Sequence, residues 1–122
     1  MILVDTSIWI DHAHRPDREL EALLRVKLVV VHPFVIGELA LGSFVGRAAL
    51  VDHLAGLRRV RLASDEEVLR LIDDCTLFGT GIGYIDAHLL ASVLLTPETR
   101  LWTRDRRLHR VAEQLSLAAI FS

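Results

Sequence analysis

The sequence predicts an α/β fold: a mostly parallel sheet covered by helices on both faces. Two observations predict it. Short apolar runs rich in β-branched residues recur along the chain, and segments with helical spacing separate them. Ile2-Leu3-Val4 reads as the first buried strand. Residues 19–26 read as a helix, because Leu20, Leu23 and Leu24 recur at helical spacing. Leu28-Val29-Val30-Val31 is the second strand. His32-Pro33 opens the next helix, since proline is tolerated in a first turn. That helix runs through Glu38 to about Leu41, and Gly42 stops it. Residues 46–57 form a further helix ending near Gly56, and Val60-Arg61-Leu62 is a weak third strand. Ser64-Asp65-Glu66-Glu67 is a capping box, with serine at the N-cap and glutamate three residues on. The helix beyond it puts Val68, Leu69, Ile72 and Cys75 on one side. Residues 79–83 are a flexible loop in which Gly81 and Gly83 permit unusual backbone angles. Residues 84–95 are apolar almost all round, which predicts a central buried helix ended by Thr96-Pro97. Leu101-Trp102-Thr103 is the fourth strand, 105–115 a helix and 118–121 a short last strand.

Composition sets the bounds. At 122 residues, 52% of them apolar, the chain suits one domain spanning 1–122 with a sizeable core, and disorder is excluded. Cys75 is alone, which excludes an intramolecular disulfide or a cysteine zinc cluster and fits a reducing cytoplasm. Asp5 cuts the first apolar run too short for a signal peptide, and no stretch reaches the roughly 20 apolar residues of a membrane span. The net charge is −2, from 14 basic and 16 acidic residues, which taken alone argues against a nucleic-acid partner. Yet Lys27 is the one lysine among those basic residues, and arginine's rigid fork suits phosphate.

In such a sheet, ligands bind beyond the carboxyl ends of the strands. Asp5 follows the first strand, Glu38 lies early in the helix after the second, Asp86 begins the buried helix, and Asp105 follows the fourth strand. A lone aspartate after a strand is most often a helix N-cap, and a lone glutamate in a helix is most often solvated. Asp86 differs, because a carboxylate among Tyr84, Ile85, Ala87, Leu89 and Leu90 is costly unless paired or bound to metal. Four acids near one sheet edge repel one another unless a cation joins them. Oxygen-only ligands suit magnesium or manganese, and such sites activate water for in-line displacement at phosphate. Setting the four aside leaves 14 basic against 12 other acidic residues, so the remainder is arginine-dominated and positive.

The motifs Ile2-Leu3-Val4-Asp5-Thr6-Ser7, Val35-Ile36-Gly37-Glu38-Leu39, Gly81 to Ala91 around Asp86, and Leu101-Trp102-Thr103-Arg104-Asp105-Arg106-Arg107-Leu108 resemble those of PIN-domain ribonucleases. The likeness is specifically to the VapC toxins of toxin–antitoxin pairs, and it spans essentially the whole chain. The resemblance implies a three-layer α/β/α sandwich around a five-stranded parallel sheet. It implies a metal-dependent endoribonuclease in which Asp5, Glu38, Asp86 and Asp105 hold one or two Mg2+ or Mn2+ ions. Thr6 or Ser7 would support Asp5, and Thr103 would support Asp105. A homodimer and an antitoxin partner are implied too, the antitoxin lying on the apolar helices that carry Phe34, Leu39, Leu41, Phe44, Val45, Leu50 and Leu54. Tyr84 stands where many relatives carry tryptophan, which implies only a packing change.

Other residues read more plainly. Arg104 and Arg107 flank Asp105 and are candidate RNA-phosphate contacts. His88 points away from Asp86 on a helix and reads as a core histidine. Trp9 and Trp102 read as core, Asp11 as surface, and Cys75 as a small buried apolar residue. Two other functional classes compete. An aspartyl phosphatase needs a second aspartate where Ser7 stands, and a lysine for which Lys27 is the only candidate. A non-catalytic binding module, or a housekeeping RNA-processing nuclease, would keep the same fold.

Overall fold

Strand β1 (Ile2–Val4) lies in the middle of the sheet and pairs in parallel with β2 (Val29–Val30) on one side and β3 (Arg100–Trp102) on the other. These elements come from a computed structural model that describes residues 1–121. The helices are α1 (Thr6–His14), α2 (Arg18–Arg25), α3 (Pro33–Leu41), α4 (Arg47–Ala55), α5 (Asp65–Asp74), α6 (Tyr84–Leu95) and α7 (Arg106–Gln114). Leu3, Val4, Val29, Val30 and Leu101 are buried, as the near-continuous apolar runs of a covered parallel sheet require.

The sheet is smaller than its sequence implies, with three strands among the described residues instead of five. The two other predicted strands shrink to single parallel bridges at the edges, Val31 with Arg59 and Leu101 with Ala118. The cause lies in how little of each segment the fold covers. Val60 is buried and donates to the Val31 carbonyl at 3.0 Å, but Leu62 is 53% exposed, so nothing holds Arg61 and Leu62 to the sheet. At the other edge Ala118 is buried, but Ile120 is 83% exposed, so pairing ends after one bridge.

Helix ends follow local chemistry. Asp17 caps α2 by accepting from Leu20 N–H at 3.0 Å. His32 caps α3 through Nδ1, with Pro33 in the first turn. Gly46 sits at φ 82 before α4, a left-handed conformation that glycine adopts without a Cβ penalty. The Ser64–Glu67 capping box of α5 is complete, at 3.1 and 2.9 Å. Helix α6 has the predicted limits and is the central one, with Ala87 through Val93 all buried. Helix α1 has no counterpart in the periodicity reading, because its buried residues are the adjacent Ile8 and Trp9 and make no repeating stripe.

Most of the predicted core is in place. Trp9, Leu20, Leu39, Leu54, Val68, Leu89 and Leu90 are fully buried. Trp102 is half-buried against Phe121. Two positions on α5 differ from expectation. Leu69 is 56% exposed, because the buried stripe runs through Val68, Leu71 and Ile72 instead. Cys75 is exposed at the C-cap, where the chain has already left the stripe. No helix among the described residues is long and apolar enough to cross a membrane.

Candidate active site

Asp5 and Asp105 lie where a strand hands over to a helix, Asp86 lies in the first turn of α6, and Glu38 lies past the middle of α3. Asp5 is the N-cap of α1, and its buried carboxylate is held at both oxygens. Oδ1 accepts from Thr6 N–H at 2.8 Å, and Oδ2 accepts from the Thr103 hydroxyl at 2.7 Å. The latter is a charge-assisted bond inside the fold between residues 98 positions apart. Thr103 Oγ1 also accepts from Asp105 N–H at 3.1 Å, so one hydroxyl ties two of the acids together. Asp105 caps α7, its Oδ1 accepting from Arg107 and Leu108 N–H at 2.9 and 3.0 Å. Glu38, exposed on α3, accepts from the Thr6 hydroxyl at 2.9 Å. Asp86 lies in the first turn of α6 and accepts from Gly83 N–H at 3.1 Å.

Electrostatics join the four. Burial is the main force pushing the Asp86 carboxyl above its ordinary range. The Gly83 N–H opposes it, while the charges of Asp5, Asp105 and Glu38 push the same way. Three acids from distant parts of the chain therefore act on one half-buried carboxylate. Their oxygens do not yet converge: among the described residues, no three of these groups stand together as a metal-holding cluster. The reason is visible in their partners. Each carboxylate is turned toward a nearby N–H or hydroxyl donor, which keeps the like charges apart. The donor set still fits a hard divalent ion. It is all oxygen, and Glu38, Asp86 and Asp105 each keep a carboxylate oxygen that accepts no hydrogen bond within the chain.

The supporting residues divide. Thr6 serves Glu38 through its hydroxyl and Asp5 through its N–H. Ser7 Oγ accepts a long 3.5 Å contact from Arg104 N–H and does not touch an acid. Of the predicted loop glycines, Gly81 has φ 87, whereas Gly83 is an ordinary extended N-cap whose contribution is its N–H. His88 is buried, with Nε2 3.3 Å from Asp65 Oδ1 but outside hydrogen-bonding geometry, and its ring packs between Phe34 and Tyr84.

The arginines also divide. Arg104 is fixed by ion pairs to Asp11 and, at 2.8 Å, to Asp17. Asp11 is therefore an exposed residue with a structural partner. Sequence spacing could not foresee this contact, because it joins the start of the chain to residue 104 across two helices.

A parallel α/β sheet with acids gathered at its carboxyl edge defines the class, and the chain belongs to the PIN domain family, whose profile matches residues 2–114. The chain is also 46% identical, over 118 residues, to Ribonuclease VapC32 of Mycobacterium tuberculosis, in both strain CDC 1551 / Oshkosh and strain ATCC 25618 / H37Rv. That alignment covers 97% of this chain and 95% of the relative, so the likeness is to VapC-type members of the family. No solved structure matches significantly.

Proposed function

We propose that this chain is a divalent-metal-dependent endoribonuclease and the toxic partner of a toxin–antitoxin pair. The observation that carries the reading is the linkage of acids from distant parts of the chain: the Thr103 hydroxyl bonds both Asp5 and Asp105, and Thr6 bonds both Asp5 and Glu38. Like charges brought near one another are stabilised by a bound cation. The relative's name, Ribonuclease VapC32, supports RNA as substrate and a toxin role.

Asp5, Glu38, Asp86 and Asp105 would hold Mg2+ or Mn2+. When bound, the ion supplies Lewis acidity toward water and a phosphate oxygen. The chain's own part is positioning. Thr103 fixes the Asp5 rotamer and the start of α7, and so sets the spacing between Asp5 and Asp105. Thr6 restrains Glu38, and the Gly83 N–H restrains Asp86. No serine or histidine nucleophile is needed, and the products would carry 5′-phosphate and 3′-hydroxyl ends. Choice of RNA would lie in loops and shape. Leu41 and Val45, 90% and 94% exposed at the end of α3 and beyond it, support a partner surface for an antitoxin or for a second copy in a homodimer. A reducing cytoplasm suits the lone cysteine.

The test is RNA cleavage by antitoxin-free protein with and without added manganese, beside Asp5→Ala and Asp86→Asn. Cleavage that needs manganese and is lost in both variants is expected. Undiminished cleavage by Asp86→Asn would sink the assignment, and absence of both manganese binding and cleavage would identify a non-catalytic module.

A further inference from the structure

We infer that the two arginines flanking Asp105 have opposite roles: Arg107 contacts a substrate phosphate beside the acids, and Arg104 is a positioning clamp that does not. The inference rests on the nuclease reading and deepens it. Both are exposed arginines close to Asp105, Arg104 just before it and Arg107 in the first turn of α7, and sequence alone treats them alike. Their surroundings do not.

Arg104 is neutralised. Its NH1 and NH2 groups each engage a different carboxylate, Asp11 on α1 and Asp17 at the cap of α2. Its guanidinium carbon lies 5.9 Å from the Trp102 ring centroid. To reach a phosphate it would have to abandon two ion pairs. What it does instead is pin the 103–105 corner against α1 and α2. That corner carries both the Thr103 hydroxyl that holds Asp5 and the Asp105 carboxylate.

Arg107 is in the opposite state. Among the described residues its guanidinium has no carboxylate at ion-pair distance and no hydrogen-bond acceptor. Its backbone N–H is bound to Asp105, and its side chain extends across to Gly81 in the loop that feeds Asp86. A Cβ at residue 81 would stand 2.8 Å from Arg107 Cδ and 3.1 Å from its NH1, and Gly81 also has φ 87. Glycine at 81 therefore leaves room for an unneutralised guanidinium between the segments bearing Asp105 and Asp86. A fork of donors held there, with no protein acceptor, matches the phosphodiester backbone. The phosphate engaged would be one next to the scissile bond.

The test uses the full chain in EDTA, so that binding is read without turnover. The affinity of a random-sequence single-stranded RNA 20-mer is measured against salt concentration. Each phosphate neutralised contributes about 0.7 to the slope of log affinity against log salt for a single strand. Arg107→Ala should bind several-fold more weakly at low salt, with a slope shallower by about 0.7, and Arg107→Lys should restore most of that slope. Gly81→Ala, which displaces the same side chain, should act like Arg107→Ala. Arg104→Ala should keep the wild-type slope and lower the melting temperature, and Arg104→Lys provides a milder version if alanine prevents folding. An unchanged slope in Arg107→Ala, or an equal loss in the Arg104 variants, overturns the inference while leaving the nuclease reading intact. Failure of the wild-type chain to bind the RNA at all, together with failure to cleave RNA in manganese, overturns both.

Discussion

The hydroxyl of Thr103 should be worth more to this fold than almost any other single polar atom. Thr103→Val removes it at nearly constant volume. Two bonds are lost: the donor to buried Asp5 Oδ2 at 2.7 Å, and the acceptor for Asp105 N–H at 3.1 Å. A buried bond to a charged group contributes about 2 kcal/mol and a neutral one about 1 kcal/mol, so the substitution should cost about 3 kcal/mol. With an unfolding entropy of about 2.1 cal/mol/K per residue, a chain of 122 residues loses about 12 °C in melting temperature for that cost. Thr103→Ser is the control. It keeps both bonds and gives up one methyl, for about 1 kcal/mol and about 4 °C. The assay is thermal unfolding by circular dichroism in EDTA, so that cation binding does not contribute. Manganese-dependent cleavage should follow the same order, because Asp5 loses its rotamer restraint only in the valine variant. If Thr103→Val melts no lower than Thr103→Ser, the hydroxyl does not hold the acidic centre together.

Three further outcomes are expected. Asp86 has a raised pKa, so its ionised form penalises the folded state as pH rises through and beyond the unfolded value. Asp86→Asn should therefore be more stable than wild type in EDTA at pH 7, by a margin that closes on acidification, and manganese should stabilise only the wild type. His32 behaves with the opposite sign. Burial first, then the neighbouring charges of His88 and Arg59, lower it from 6.5 to about 4, so it favours folding while neutral. Its contribution of roughly 3 kcal/mol is complete above about pH 6.5 and is lost as pH falls toward 4. In His32→Asn, which retains a capping acceptor for α3, urea unfolding should show a flatter pH dependence over that window. Ser64→Ala removes the N-cap of α5 and should cost about 1 kcal/mol in urea unfolding, with cleavage rates unchanged.

Sequence patterns revealed what is local. The limits of α6, the capping box at Ser64 and the strand–acid junctions at Asp5 and Asp105 all follow from residues within a few positions of one another. The edges of the sheet did not, because whether Arg61, Leu62 and Ile120 join it depends on what faces them and not on their own propensity. Helix α1 carries no periodic signature, because its burial is concentrated on Ile8 and Trp9. At the site, residue types predict acids at the carboxyl edge, and Asp5 and Asp105 stand there. Residue types do not show that Thr103 bridges Asp5 and Asp105, or that Arg104 is bound to Asp11 and Asp17. These contacts span most of the chain, and no spacing rule reaches that far.

The placement of the first strand in the middle of the sheet has a consequence in time. Asp5 N–H donates to the Trp102 carbonyl and its carboxylate waits on the Thr103 hydroxyl, so the earliest residues synthesised are completed by some of the last. A chain emerging from the ribosome can form its early helices, but β1 has no second neighbour until residues 100–102 appear. The acidic centre is therefore completed late, when residues 100–105 join β1 and Asp5. For a chain proposed to act on RNA, that order keeps the half-made protein harmless to the message and the ribosome that are producing it.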